Sequence, residues 1–188
     1  MDPIEIRPYR PEDEDPWLRC RALSFLYTAY FDDVDPVRPT LREPSVELVA
    51  TVDDVLVGVL GAEIESGVAT IDTIAVHPDH QGRGAGRLLF QALRDRSREA
   101  GAHTIDAWTR DDPGTLAWYR AMGFTDHDHY LHVIADREEA GHAASPSVGF
   151  SVAGALVHAD LADEARMRAR FRRVHVCRRF TRPVDPPS

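Results

Sequence analysis

Residues 73–87 read Thr73-Ile74-Ala75-Val76-His77-Pro78-Asp79-His80-Gln81-Gly82-Arg83-Gly84-Ala85-Gly86-Arg87. The opening residues have the composition of a strand, and His77-Pro78 must stop it, because proline has no N–H to give a ladder. Beyond the glycines, Leu88, Leu89, Ala92, Leu93 and Ala100 recur at helical spacing, and Gly101 stands where a glycine commonly ends a helix. A strand thus runs through a glycine turn into a helix N-terminus. Glycines there let backbone N–H groups converge, and the helix end adds positive potential. The combination suits a pyrophosphate, with Arg83 and Arg87 as additional charge.

Two common phosphate motifs fail on the same residues. A P-loop ends in Gly-Lys-Ser/Thr, whereas this turn ends Gly86-Arg87-Leu88. The dinucleotide fingerprint started at Gly82 needs a third glycine where Arg87 stands, and His77 to Gln81 separate the strand from its glycines.

Outward from the turn, the upstream chain reads as a short strand at Ile4–Arg7 and an aromatic-rich helical segment from Trp17 to Phe31, opened by Asp15-Pro16. Strands follow at Leu48–Val52, Val55–Ile64 and Val68–Val76, with turns at Asp53-Asp54 and Glu65-Ser66-Gly67. Downstream, a strand at Ile105–Thr109 precedes a short helix opened by Asp112-Pro113 and ending at Gly123. Then come a strand at Tyr130–Ala135, a polar connection at 137–147, a strand near 150–157, a helix near 161–169, a last strand at Val174–Cys177 and a tail at 183–188. No internal repeat is present.

The glycine turn resembles the GNAT superfamily of N-acetyltransferases. The signature Q/R-x-x-G-x-G/A is matched by Gln81-Gly82-Arg83-Gly84-Ala85-Gly86, behind Val76-His77-Pro78. A second block, an aromatic-tyrosine pair followed by Gly-Phe, appears as Trp118-Tyr119-Arg120-Ala121-Met122-Gly123-Phe124. The resemblance covers about residues 4–136 and implies one α/β (α+β) domain over 1–188. Its mixed, mostly antiparallel sheet has six to seven strands, helices on its flanks and a splay between the fourth and fifth strands. It also implies acetyl-CoA as co-substrate and no metal. Backbone groups of Ile74, Ala75 and Val76 would hold the pantetheine arm and thioester, and Gln81, Gly82, Arg83, Gly84, Ala85, Gly86 and Arg87 the pyrophosphate. Tyr119 would be the general acid for the departing thiolate; as a plain core aromatic it would pack beside Leu116 and Met122. Asp72 shares strand parity with Ile74 and Val76 and is a base candidate, as are Glu63, Glu65 and His77. Family members often carry asparagine where α-helix follows the fifth strand; this chain has Asp112, able to cap but not to donate an amide.

The acceptor side falls by resemblance on Tyr27, Tyr30, Phe31, Asp32 and Asp33, where aromatics beside acids would suit a cationic amine. The competing reading packs the aromatics on the sheet and leaves the acids solvated. Residues 148–170 keep three open roles: cover of the site, extension of the sheet, or a homodimer contact. The strand 127–132 places His127 and His129 on one face with Leu131, which cannot ligate, so a solvated strand end is expected over a metal site.

Composition sets the remaining bounds. At 188 residues the chain has the length of one domain, and its net charge of −9 argues against nucleic acid or anionic membrane as partners. Cys20 and Cys177 form no disulfide framework, and the charged N-terminus has no signal-like apolar run, so a cytoplasmic protein is expected. All 22 basic residues are arginine, which removes lysine as nucleophile or Schiff base. Residues 166–182 hold eight arginines and no acid, either a face balanced by the acidic N-terminal half or a docking surface. The alternative to an enzyme is therefore a non-catalytic acyl-CoA-binding or partner-docking module of the same fold.

Overall fold

Tight turns build the first half of the sheet. In a computed structural model describing residues 3–143 and 151–185, Asp53 and Asp54 have φ of 48° and 63°, and Ser66 and Gly67 have 51° and 79°. Two successive positive-φ residues turn the chain with the twist a hairpin needs, and aspartate tolerates that region better than most residues. The turns join β2 (Ser45–Val52), β3 (Val55–Glu65) and β4 (Val68–Val76) into an antiparallel meander, with β1 (Glu5–Pro8) on its outer edge. The helices α1 (Glu14–Phe25) and α2 (Ala85–Glu99) cover opposite faces of this meander.

Each face has its own apolar filling. Trp17 and Cys20 of α1 pack on Val49, Leu56, Val59 and Ala75. Leu89, Phe90 and Leu93 of α2 pack on Leu48, Val57, Leu60 and Ile71. Gly58 admits α2 closely, because a Cβ there would lie 3.1 Å from Leu89 Cδ1 and 3.2 Å from Ala50 Cβ. Leu89 and Leu93 are fully buried, and truncating either to alanine removes about 3 kcal/mol of stability.

The second half comprises β5 (Thr104–Thr109), α3 (Pro113–Ala121), β6 (Thr125–Ala135), the single turn α4 (Ala140–Ala143), β7 (Ala155–Ala159), α5 (Glu164–Arg170) and β8 (Arg173–Pro183). Strand order is β1-β2-β3-β4-β5-β8-β6-β7, eight strands among the described residues where the family resemblance implies six to seven. The strand read near 150–157 is β7, which lies at Ala155–Ala159 and extends the sheet beyond β6, while Met167 and Phe171 cover Val133 and Val174. The last strand is longer than Val174–Cys177. The chain beyond it is not a free tail: Val184 is buried and donates its N–H to His103, and Asp185 pairs with Arg98. Residues 144–150 and 186–188, part of the expected connection and tail, lie outside the described residues.

β4 and β5 are parallel partners only over Val68–Ile71 and Thr104–Ala107. From Asp72 onward β4 has no neighbour on that side, while β5 continues on β8 to Thr109↔Arg178. The expected splay is thus a ladder that stops at Ile71.

The helical reading through Phe31 needs correction. α1 ends at Phe25, and residues 26–33 form successive turns closed by Thr28 N–H to Phe25, Phe31 N–H to Thr28 and Asp33 N–H to Tyr30 carbonyls. The Thr28 hydroxyl also donates to the Phe25 carbonyl at 2.9 Å, satisfying a helix-end group and stopping further growth.

Candidate active site

One wall of the splay is backbone. Strand residues alternate the direction of their N–H and C=O groups, and His77 N–H reaches back to the Val57 carbonyl at 2.8 Å. Counting back, Ala75 also turns its polar groups to β3, while Ile74 and Val76 turn theirs into the gap. The Val76 carbonyl is taken there by the Gln81 side-chain amide at 3.0 Å. The Val76 N–H and both groups of Ile74 therefore form an open strand edge. Of the three residues expected at the pantetheine arm, Ile74 and Val76 turn backbone groups to the gap, whereas Ala75 is buried against α1.

The glycine turn continues this wall. Gly82 and Gly84 have φ of 73° and 96°, a region costly for any other residue type. Gly84 is the N-cap of α2, with no side-chain cap and no acid in the first turn, so the first N–H groups of α2 are unspent. Gln81, Gly82, Arg83, Gly84 and Arg87 are exposed, Gly86 is half-buried and Ala85 is buried. A Cβ on Gly86 would lie 3.4 Å from Trp118 Nε1, so the two sequence blocks touch. These residues fit a pyrophosphate-bearing ligand: unsatisfied donors, positive charge and an open backbone at one point.

The other wall is side chain. Asp112 caps α3 by accepting from the N–H groups of Gly114 and Thr115, each at 3.1 Å. The helix buries Tyr119, 4% exposed, with its ring stacked on Phe180 at 5.1 Å and edge-on to Trp118 and Phe124. Burial pushes its phenol pKa up, with Tyr30 and Asp106 as lesser charge neighbours. The phenol thus keeps its proton and has no hydrogen-bond partner among the described residues. The ring is core, and the hydroxyl is not committed to a partner among the described residues.

Parity misplaces Asp72. Gly61 pairs with Thr73 but Ala62 with Ile71, so Asp72 is the extra residue of a β-bulge. Ile71, Ile74 and Val76 all pack toward α2 despite their odd spacing; Asp72 does not share that face. It is exposed on the α1 side and accepts from the Thr73 hydroxyl at 2.8 Å. Of the other base candidates, Glu63 and Glu65 pair with Arg42 at the far end of the strands, and His77 Nδ1 accepts from Asp79 N–H. A cavity of about 400 Å³ beside Arg42, Glu63 and Gly67 also lies there, away from the splay.

The acceptor-side residues separate. Tyr27 is 85% exposed, and Phe31 and Asp33 also face solvent. Asp32 is clamped by Arg173 at 2.6 and 2.8 Å, which holds its carboxyl below the usual range. That charge is already spent, so the expectation that Asp32 attracts a cationic amine is corrected. Tyr30 does reach the gap: its hydroxyl accepts from Arg110 N–H at 2.7 Å and lies 3.4 Å from Thr109 Oγ1.

Four residues absent from the sequence reading form the floor on the α1 side. Trp108, 40% exposed, meets Tyr130 edge-on at 5.1 Å. Arg110, 4% exposed, stacks on Tyr30 at 4.5 Å and donates to His132 Nδ1 at 3.1 Å and the Ala29 carbonyl at 2.6 Å. Since guanidinium only donates, His132 Nδ1 must accept, so its proton sits on Nε2, 3.0 Å from the Tyr130 hydroxyl. Burial, then Arg110, push the His132 pKa down to about 4. No spacing rule links positions 30, 108, 110, 130 and 132; only the strand register does.

The arginine-rich C-terminal stretch is largely spent. Arg166 pairs with Asp163, Arg168 with Glu164, Arg172 with Asp136 and Glu138, and Arg179 with Asp106 and Asp128. Among the described residues no cluster of three metal-ligating side chains occurs.

Comparison with known proteins gives a consistent family. Residues 5–124 match the model of the "Acetyltransferase (GNAT) family". The L-amino acid N-acyltransferase MnaT of Escherichia coli is 38% identical over 53 residues, 28% of this chain and 31% of that one. The [ribosomal protein bS18]-alanine N-acetyltransferase of Salmonella typhimurium is 32% identical over 85 residues, 45% of this chain and 57% of that one. The matched stretches thus span from about a third to just over half of these relatives. A GNAT family acetyltransferase of Brucella melitensis, solved with acetyl-CoA, superposes with a TM-score of 0.52 at 26% identity, covering 66% of this chain and 84% of that one.

Proposed function

This chain belongs to the GNAT acetyltransferase family, and on that footing we propose that it moves an acetyl group directly from acetyl-CoA to a primary amine of a small molecule or protein. The observation that carries the reading is the open edge of β4 from Asp72 to Val76 running into the uncapped N-terminus of α2. Acetyl-CoA supplies the activated thioester. The Ile74 and Val76 backbone groups bind the pantetheine arm as an added strand would, and the Val76 N–H polarises the thioester carbonyl. Gln81 to Arg87 take the pyrophosphate.

Tyr119 donates its proton to the thiolate as the C–S bond breaks and the C–N bond forms. The acceptor enters as an ammonium ion, loses one proton to Asp72 or water, and gives up the second nitrogen proton as the amide forms, returning Tyr119 to its phenol state. The non-catalytic alternative loses most of its one support, because five of the eight C-terminal arginines pair with acids of the chain itself. We also place the protein in the cytoplasm: its two cysteines are free and buried, and among the described residues no helix is long and apolar enough to cross a membrane.

Calorimetric titration with acetyl-CoA, with ATP and NAD as controls, tests the first half of this reading. Thiol release over a panel of amines tests the second. Micromolar binding of acetyl-CoA alone with amine-dependent thiol release is expected; binding without release under every amine favours the sensor module, and no binding removes the assignment.

A further inference from the structure

Arg110 narrows the acceptor. Its guanidinium is almost wholly buried, yet it has no carboxylate of its own. Asp32, the acid nearest to it, stands 3.6 Å away and is already held at both oxygens by Arg173. Nε is spent on His132 and Nη1 on the Ala29 carbonyl, whereas Nη2 has no partner among the described residues. His132, His158 and His175 lie around the same point, the first two stacked at 4.9 Å, and add no negative charge. Burying a cation with its charge only partly offset is costly unless an anion completes the site.

Position gives the anion its identity. Carrying the β4–β5 register on from Ile71↔Ala107, with Asp72 as the extra bulged residue, sets Arg110 level with Ala75 across the gap, between the Ile74 and Val76 backbone groups proposed for the thioester arm. Its side chain lies on the α1 face, against Ala29, Tyr30 and Asp32. Two residues back on the same strand, about 7 Å away, Trp108 stands level with Thr73, whose hydroxyl donates to the exposed carboxylate of Asp72. A buried cation that only shares its counter-ion with Arg173 and an exposed carboxylate thus flank one gap on one face. This is the charge pattern of a zwitterion whose amine and carboxylate are separated by a single carbon. Trp108 and Tyr130 supply an apolar floor for what that carbon carries.

We infer that the acceptor is a free α-amino acid, its carboxylate bound by Arg110 Nη2 and its amine turned into the splay. The inference rests on the acetyl-transfer reading above and selects a free amino acid over a protein N-terminus, which has no carboxylate next to its amine. The decisive comparison uses the unmodified enzyme. Thiol release is measured with L-leucine, L-methionine and L-phenylalanine, with the amines left by removing each carboxylate, and with N-terminal peptide amides. Arg110 predicts kcat/KM about 100-fold or more in favour of the amino acids, because an acceptor without the carboxylate leaves the buried guanidinium unmet.

Equal or better turnover of the decarboxylated amines or the peptide amides overturns the assignment. So does failure of every amino acid, and the acetyl-CoA titration then decides whether the parent reading falls with it. In Arg110→Gln the amino-acid preference is expected to shrink toward unity. A purely structural role for Arg110 would lower both rates alike and leave their ratio intact, which would also overturn the proposal.

Discussion

The two walls of the splay are built on different principles. The β4 wall is backbone: an unpaired strand edge, two positive-φ glycines and an uncapped helix end, supplied by one run of sequence from Ile74 to Arg87. The β5 wall is side chain: Tyr30, Trp108, Arg110, Tyr119, Tyr130 and His132 arrive from α3, two strands and the turns after α1. A backbone wall binds whatever offers a matching amide edge and phosphates, so it suits a co-substrate shared by many enzymes. A side-chain wall can be rewritten residue by residue, so under the proposed function it is the wall on which acceptor choice would reside.

Substitutions on each wall should separate these roles. The largest effect is expected from Tyr119→Phe, which keeps the stacked ring but deletes the proton. Turnover should fall by about 100-fold or more while acetyl-CoA affinity by calorimetry stays unchanged; full turnover would return Tyr119 to a packing role alone. Gly84→Val acts on the opposite wall. A β-branched residue at φ 96° costs about 1–2 kcal/mol of stability and should weaken acetyl-CoA binding by about 10–100-fold. An unaltered dissociation constant would dissociate the glycine turn from the phosphates.

His132 offers a test by pH. Its pKa is near 4 in the folded chain, against about 6.5 when unfolded. Between those values the unfolded chain binds a proton that the folded one refuses, so stability falls as pH drops from about 6.5 toward 4. Allowing for its partial exposure, His132→Gln should remove about 1–2 kcal/mol of that loss, read as a flatter Tm against pH. An identical slope in both proteins would mean that His132 is not held neutral by Arg110 and its surroundings. Smallest is Asp32→Asn, expected to lower Tm by about 2–4 °C through the lost Arg173 pair. A raised acceptor KM at unchanged Tm would instead make Asp32 a substrate contact.

Much of the order of elements was legible because each carries a local signature. Asp53-Asp54 and Ser66-Gly67 announce turns, His77-Pro78 ends a strand, and Asp112-Pro113 opens a helix. Three readings failed where a distant contact or a small irregularity decided the outcome. The segment after Phe25 keeps a helical pattern of aromatics, yet Tyr30 is drawn to Arg110, 80 positions away. Asp72 has the right parity for Ile74, but one bulged residue reverses the face. Asp32 and Asp33 look alike in sequence; only the arrival of Arg173 makes one a clamp and leaves the other in solvent.

The division follows from the range of the forces involved. Strands, turns, the glycine turn and its donors depend on backbone dihedrals and neighbours a few residues away, so the sequence determines them locally. Which strand ends lie side by side, where the ladder stops, and which arginine faces which acid depend on eight strands settling into one register, with β8 inserted between β5 and β6. Burial then sets the charge states, leaving His132 neutral and Arg110 with only a shared claim on Asp32. Those are properties of neighbours brought together by folding, and only the tertiary structure decides them.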